Sequence, residues 1–156
     1  MSDSGQFNSL GANVADIFLQ VAGSKVELPL YSCRLSAGFP SPADDYIEKT
    51  LDLNAHLIEN PAATFFARAC GDSMEPGGIF DGDLLIIDRS IEPRNGRVVV
   101  VALNGEMLVK RLHTTLDRTV LSADNRNYPP IEVTEFCSFH FWGVVKASIH
   151  MMESKQ

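Results

Sequence analysis

The chain has 156 residues, 45% hydrophobic and 21% charged, which suits one folded domain with a sizeable core and excludes a disordered polymer. Its formal net charge of -7, with scattered basic residues and Lys110-Arg111 as the one adjacent pair, argues against direct sequence-specific DNA binding, because phosphate contacts need clustered Lys and Arg. The early apolar run Ile17-Phe18-Leu19 is too short to span a bilayer and Asp3 stands where a leader would be basic, so no membrane association is expected and the reading is cytoplasmic.

Residues 1 to about 25 are rich in Ser, Gly, Asn and Ala without sustained periodicity, and read as a mobile arm. Val26 to Tyr31 is extended in character, with Pro29 excluding helix. Ser36-Ala37-Gly38-Phe39-Pro40-Ser41-Pro42 is a run of turn formers. Ser41 can cap a first short helix running through Asp44, Asp45, Tyr46 and Ile47, with the acidic pair in its first turn. A second helix is expected from Leu53 to Glu59, ending at Asn60-Pro61.

From Thr64 onward the pattern is β-rich, with strands predicted over 64–69, 84–88, 97–103, 106–112, 119–122 and 139–148. Asn104-Gly105 between two apolar runs signals a tight hairpin. The unbroken Val98-Val99-Val100-Val101 predicts a strand covered on both faces.

Three widely spaced cysteines, Cys33, Cys70 and Cys137, suit a reducing compartment without a disulfide framework. Cys137 and His140 could supply half a metal site, but no second pair has ligand spacing, so no metal is expected. Cys70 reads as a packing residue.

The chemistry-bearing stretch is Gly71-Asp72-Ser73-Met74-Glu75-Pro76, followed by Asp81-Gly82-Asp83 and, inside an apolar strand, by Lys110. A serine hydroxyl becomes a nucleophile only when a neighbour accepts its proton. A histidine base is poorly supported. The Gly-x-Ser-x-Gly elbow fails because Glu75 replaces its last glycine, the trypsin-like Gly-Asp-Ser-Gly-Gly-Pro is interrupted by Met74 and Glu75, and none of the four histidines has the upstream Asp of GDSL lipases.

Lys110 is the better base. Strand alternation sets it on one face with Leu108 and Leu112, where burial would lower its ordinary pKa of ~10.4 and make a neutral amine available. On residues alone, a strand lysine more often reaches solvent, here beside Arg111, and a Gly-Asp-Ser turn is most often only a turn, so the dyad is the minority reading. A non-enzymatic β-rich interaction module therefore stays open.

From Val26 to Ala147 the chain resembles the UmuD family, the LexA-related self-cleaving serine peptidases of the bacterial DNA-damage (SOS) response. The resemblance rests on five ordered blocks: 38–43 (Gly38-Phe39-Pro40-Ser41-Pro42-Ala43), 71–74 (Gly71-Asp72-Ser73-Met74), 81–86 (Asp81-Gly82-Asp83-Leu84-Leu85-Ile86), 109–112 (Val109-Lys110-Arg111-Leu112) and 141–145 (Phe141-Trp142-Gly143-Val144-Val145). It implies Ser73 as nucleophile, Lys110 as general base, backbone N–H groups of Ser73 and Asp72 as oxyanion hole, and cleavage between Ala37 and Gly38. The spacings agree, with Gly38 lying 35 residues before Ser73 and Lys110 37 after it.

The implied fold is mainly β: a LexA/UmuD-type peptidase domain of twisted strands over residues 38–156, with one or two short helices near its start. A mobile N-terminal arm, residues 1–37, precedes it and is removed by self-cleavage. The resemblance also implies a homodimer, stimulation by a RecA filament on single-stranded DNA, and service of the cut form as accessory subunit of a Y-family translesion polymerase. No cofactor is implied. A LexA-like repressor is the related alternative, but residues 1–37 lack the periodicity and basic charge of a helix-turn-helix. Residues 1–25 match the family poorly, and Glu75-Pro76 departs from its blocks beside the nucleophile.

Overall fold

The structure, a computed structural model, describes residues 25–31, 37–38 and 47–153. It divides into two units, one ending at Glu59 and one starting at Asn60, each described here by itself. The arm expected over residues 1 to about 25 lies outside the described residues, Lys25 excepted.

In the first unit, β1 (Glu27–Tyr31) pairs antiparallel with β2 (Ile47–Asp52), Glu27 facing Asp52 and Tyr31 facing Ile47 across a bulge at Leu30/Tyr31. Pro29 is tolerated because a strand edge needs no N–H at every residue. The helix expected from Ser41 lies outside the described residues except at Ile47, which opens β2 instead of continuing a helix. Asp52 then caps α1 (Leu53–Leu57), its carboxylate accepting the Asn54 and Ala55 amides at 3.0 and 3.3 Å. The helix stops two residues short of Glu59, since Pro61 biases Asn60 away from helical backbone.

The second unit is one antiparallel sheet. Its strands are β3 (Thr64–Arg68), β4 (Leu84–Asp88), β5 (Val98–Leu103), β6 (Glu106–Thr114), β7 (Thr119–Ser122), β8 (Ile131–Val133) and β9 (Phe139–Ile149), in the order β3-β4-β9-β5-β6-β7-β8. Six were legible as apolar runs. β8 escaped because three residues after a Pro-Pro pair carry no readable period. Asn104 and Gly105 both have positive φ, 49° and 83°, as a type I′ hairpin between β5 and β6 demands.

β9 holds the sheet together. Its C-terminal half pairs with β4 and its N-terminal half with β5. Trp142 is skipped in the register, Val100 facing Gly143 and Val101 facing Phe141. Such a bulge re-aims a side chain, and Trp142 meets Phe65 edge-on at 6.3 Å while the Arg89 guanidinium lies 5.0 Å from its ring.

The valine run of β5 is covered on both faces, as its lack of alternation predicts. Val100 joins a cluster with Ala69, Met74, Ile79, Leu85 and Ile87. Val99 and Val101 join another with Leu103, Leu112, Leu121 and Val144. Each such fully buried aliphatic side chain contributes roughly 1.5–3 kcal/mol of transfer free energy, so β5 and its neighbours form a stiff floor for the loops above.

Candidate active site

The loop between β3 and β4 carries Ser73. Gly71 has φ +86°, a left-handed conformation costly to other residues, so the chain turns sharply as it leaves β3. Asp72, Ser73 and Met74 follow, and the Asp72 carbonyl accepts the Glu75 amide at 3.2 Å. Met74, 3% exposed, plugs the turn into the core. Glu75–Gly77 is a single 3-10 turn with Pro76 in its first positions, so the Glu75-Pro76 pair shapes the exit from the serine turn.

The Asp81-Gly82-Asp83 block latches this loop at its base. Asp81 Oδ1 accepts the Gly71 amide at 2.7 Å. The Gly82 amide donates to the Ala69 carbonyl, and the Ala69 amide to the Asp83 carbonyl, both at 2.8 Å. The Asp83 carboxylate, 1% exposed, accepts from the Phe80 amide, the Ser148 hydroxyl and His150 Nδ1. Burial pushes its carboxyl pKa up, but these hydrogen bonds outweigh burial and hold it below the usual carboxylate value.

Lys110 comes from the middle of β6, opposite the fully buried Val99 of β5. It is 9% exposed, and desolvation lowers its pKa from the ordinary lysine value. Ser73 and Lys110 line one cavity of about 310 Å³, walled by Ala67, Ala69, Cys70, Ile79 and Leu108 among others. Among the described residues, the Asp72 and Ser73 amides make no backbone–backbone hydrogen bond as donors, so two adjacent N–H groups flank the Ser73 side chain. Cys70 corrects the packing expectation: it is exposed and lines this cavity, because the sharp turn at Gly71 begins before its side chain can enter the core.

A second loop, after β7, supplies residues that the sequence did not mark. The Asn125 amide donates to the Ser73 carbonyl at 2.9 Å, and Asn125 Nδ2 to the Asp72 carbonyl at 3.3 Å. The Tyr128 hydroxyl donates to Asp72 Oδ1, and the Tyr128 ring centroid lies 5.4 Å from Lys110 Nζ. Asn, Tyr and two prolines announce a loop, but nothing in them points to a serine 52 positions earlier. Arg111, next to Lys110, makes a two-pronged ion pair with Asp124 at 2.6 and 2.7 Å, anchoring the start of that loop to β6.

Ala37 and Gly38 form an exposed bend of the first unit. No helix among the described residues is long and apolar enough to cross a membrane.

A family model described as Peptidase S24-like matches residues 29–146. The chain is 47% identical over 126 residues to Protein SamA of Salmonella typhimurium, covering 81% of this chain and 87% of that protein. It is 40% identical over 136 residues to Protein MucA of Escherichia coli, covering 86% and 92%. To the LexA repressor of Shewanella denitrificans it is 37% identical over 110 residues, covering 70% of this chain and 53% of the repressor.

Proposed function

Because the chain belongs to the Peptidase S24-like family, in its UmuD-type branch, we propose that it cuts its own Ala37–Gly38 bond with Ser73 as nucleophile and Lys110 as general base. Membership makes it a self-cleaving serine peptidase of the SOS mutagenesis response. The observation that carries the residue-level reading is the shared cavity: a half-buried serine and a desolvated lysine line the same space.

In this mechanism neutral Lys110 Nζ takes the Ser73 hydroxyl proton as Oγ attacks the Ala37 carbonyl carbon. The negative oxygen is held by the Ser73 and Asp72 amides. The Lys110 ammonium then protonates the departing Gly38 nitrogen, leaving residues 1–37 esterified to Ser73. A water molecule, giving one proton to Lys110, attacks the ester carbonyl; Lys110 returns that proton to Ser73 Oγ as residues 1–37 leave as the free acid, and the shortened chain 38–156 regains its serine. Tethering the segment to the peptidase makes the attack effectively intramolecular.

The proposal extends to partners. A homodimer in the cytoplasm, stimulated by a RecA filament on single-stranded DNA, yields a processed form that serves a Y-family translesion polymerase. A filament stimulates cleavage only through a higher affinity for the arrangement in which the segment is docked. The LexA-like repressor alternative is weaker, since the likeness spans about half of that protein, whereas SamA and MucA are matched almost throughout.

The test is incubation at alkaline pH, and separately with a RecA filament and ATP, followed by mass spectrometry. A fragment beginning at Gly38, abolished by Ser73→Ala and by Lys110→Ala, is expected. A Ser73→Ala protein cut at the parent rate sinks the dyad. Gly38→Glu, whose Cβ would meet no described atom within 4 Å, should leave folding intact and block processing.

A further inference from the structure

Tyr128 touches both sides of the reaction centre. Its hydroxyl donates to Asp72, the residue before the nucleophile, and its ring faces the Lys110 ammonium at 5.4 Å. The loop it belongs to is closed on itself by the Tyr128 amide donating to the Asn125 carbonyl at 3.2 Å. That same Asn125 holds the Ser73 and Asp72 carbonyls, so the nucleophile turn and the base share one support.

Resting on the Ser73/Lys110 reading, we propose that Tyr128 is a positioning residue for self-cleavage. Its hydroxyl fixes the nucleophile turn through Asp72, and its ring favours the ammonium form of Lys110, setting the pH at which the base becomes available. The negative face of an aromatic ring attracts a cation and is indifferent to a neutral amine. It therefore opposes the desolvation that pushes the Lys110 amine toward neutrality.

The other groups near Lys110 do not replace this control. Arg111 beside it on β6 is held by Asp124, while Arg68 and Cys70 line the cavity wall. The β5 strand opposite presents Val99. The hydrogen bond to Asp72 raises the Tyr128 phenol pKa, which favours the protonated, donating form of the tether.

The experiment measures the first-order rate of self-cleavage from neutral to alkaline pH in full-length protein carrying Cys70→Ser, which removes the thiol from the cavity. Tyr128→Phe keeps the ring and loses the tether. Its midpoint should match the parent while its plateau rate falls about two- to ten-fold. Tyr128→Leu keeps an apolar cover and loses the ring face. Its midpoint should move down by about half a pH unit, raising the fraction of available base below the midpoint about two- to five-fold.

Tyr128 is 41% exposed, so neither change opens the core, and matching melting temperatures verify this. A Leu variant with the midpoint of the Phe variant overturns the role of the ring. A Phe variant with the parent plateau overturns the role of the tether. If Ser73→Ala and Lys110→Ala are inactive while both Tyr128 variants follow the parent profile, this inference fails and the dyad stands. Cleavage by Lys110→Ala with the parent profile overturns both.

Discussion

The Gly71 amide donates to Asp81 Oδ1 at 2.7 Å, so the turn presenting Ser73 is held by a residue ten positions further along the chain. Two separate sequence motifs are thereby one structural device. Asp81→Ala leaves that amide without its acceptor and should slow self-cleavage about two- to ten-fold, on the scale of one hydrogen bond. Asp81→Asn retains a side-chain oxygen and should recover most of the rate. Gel-based processing rates for the two variants, with melting curves alongside, check this.

Lys110 predicts a trade between activity and stability. Its pKa is lowered by desolvation, so the folded state gives up the proton more readily than the unfolded chain does. Stability contributed by this group therefore rises with pH, starting from the folded pKa and levelling off near the ordinary ~10.4. Below the folded pKa the buried charge weakens the fold. Lys110→Met should abolish cleavage while raising the melting temperature at neutral pH, and the gain should shrink as the pH is raised. In the parent, cleavage should climb about tenfold per pH unit below the folded pKa and flatten above it.

Gly77 is required by close approach. A Cβ placed there would sit 1.9 Å from Asp124 Oδ2 and 3.2 Å from an Arg111 terminal nitrogen. Gly77→Ala must therefore displace Asp124 from its two-pronged pair with Arg111, costing about 1–3 kcal/mol. Asp124→Ala should cost a similar amount, and the double variant should be about as stable as Asp124→Ala alone, because the clash then has no partner. Urea denaturation of the three variants measures the non-additivity.

Asp83 sets the acid limit. Its carboxyl is held below the ordinary value, so its contribution to stability is present above ~3.9 and is lost as pH falls through that value toward the folded pKa. Asp83→Asn should cost about 2–3 kcal/mol at pH 7, because an amide cannot accept from Phe80, Ser148 and His150 together. Melting temperatures between pH 3 and 7 should fall more steeply with acid in the parent than in the variant.

The candidate site was half legible. Ser73 and Lys110 stood out because a nucleophile needs a base, because histidine motifs failed on spacing, and because five ordered blocks resembled one family. Asn125 and Tyr128 did not, since an ordinary polar loop becomes part of a site only by meeting a turn 52–56 residues away. Cys70 was misread for the same reason: which way a residue faces at a strand end depends on the turn that follows.

By itself the sequence determined what is local. Apolar runs placed six of the seven strands of the large sheet, Asn104-Gly105 placed its hairpin, and the unbroken valines of β5 announced a strand covered on both faces. These follow from backbone sterics and side-chain periodicity within a few residues. Tertiary structure alone decided the properties on which the proposed chemistry rests: the burial of Lys110, the latch of Asp81 on Gly71, and the contact of Tyr128 with both Asp72 and Lys110. Desolvation and charge contacts depend on which distant surfaces exclude water together, and the order of residues along a chain does not state that.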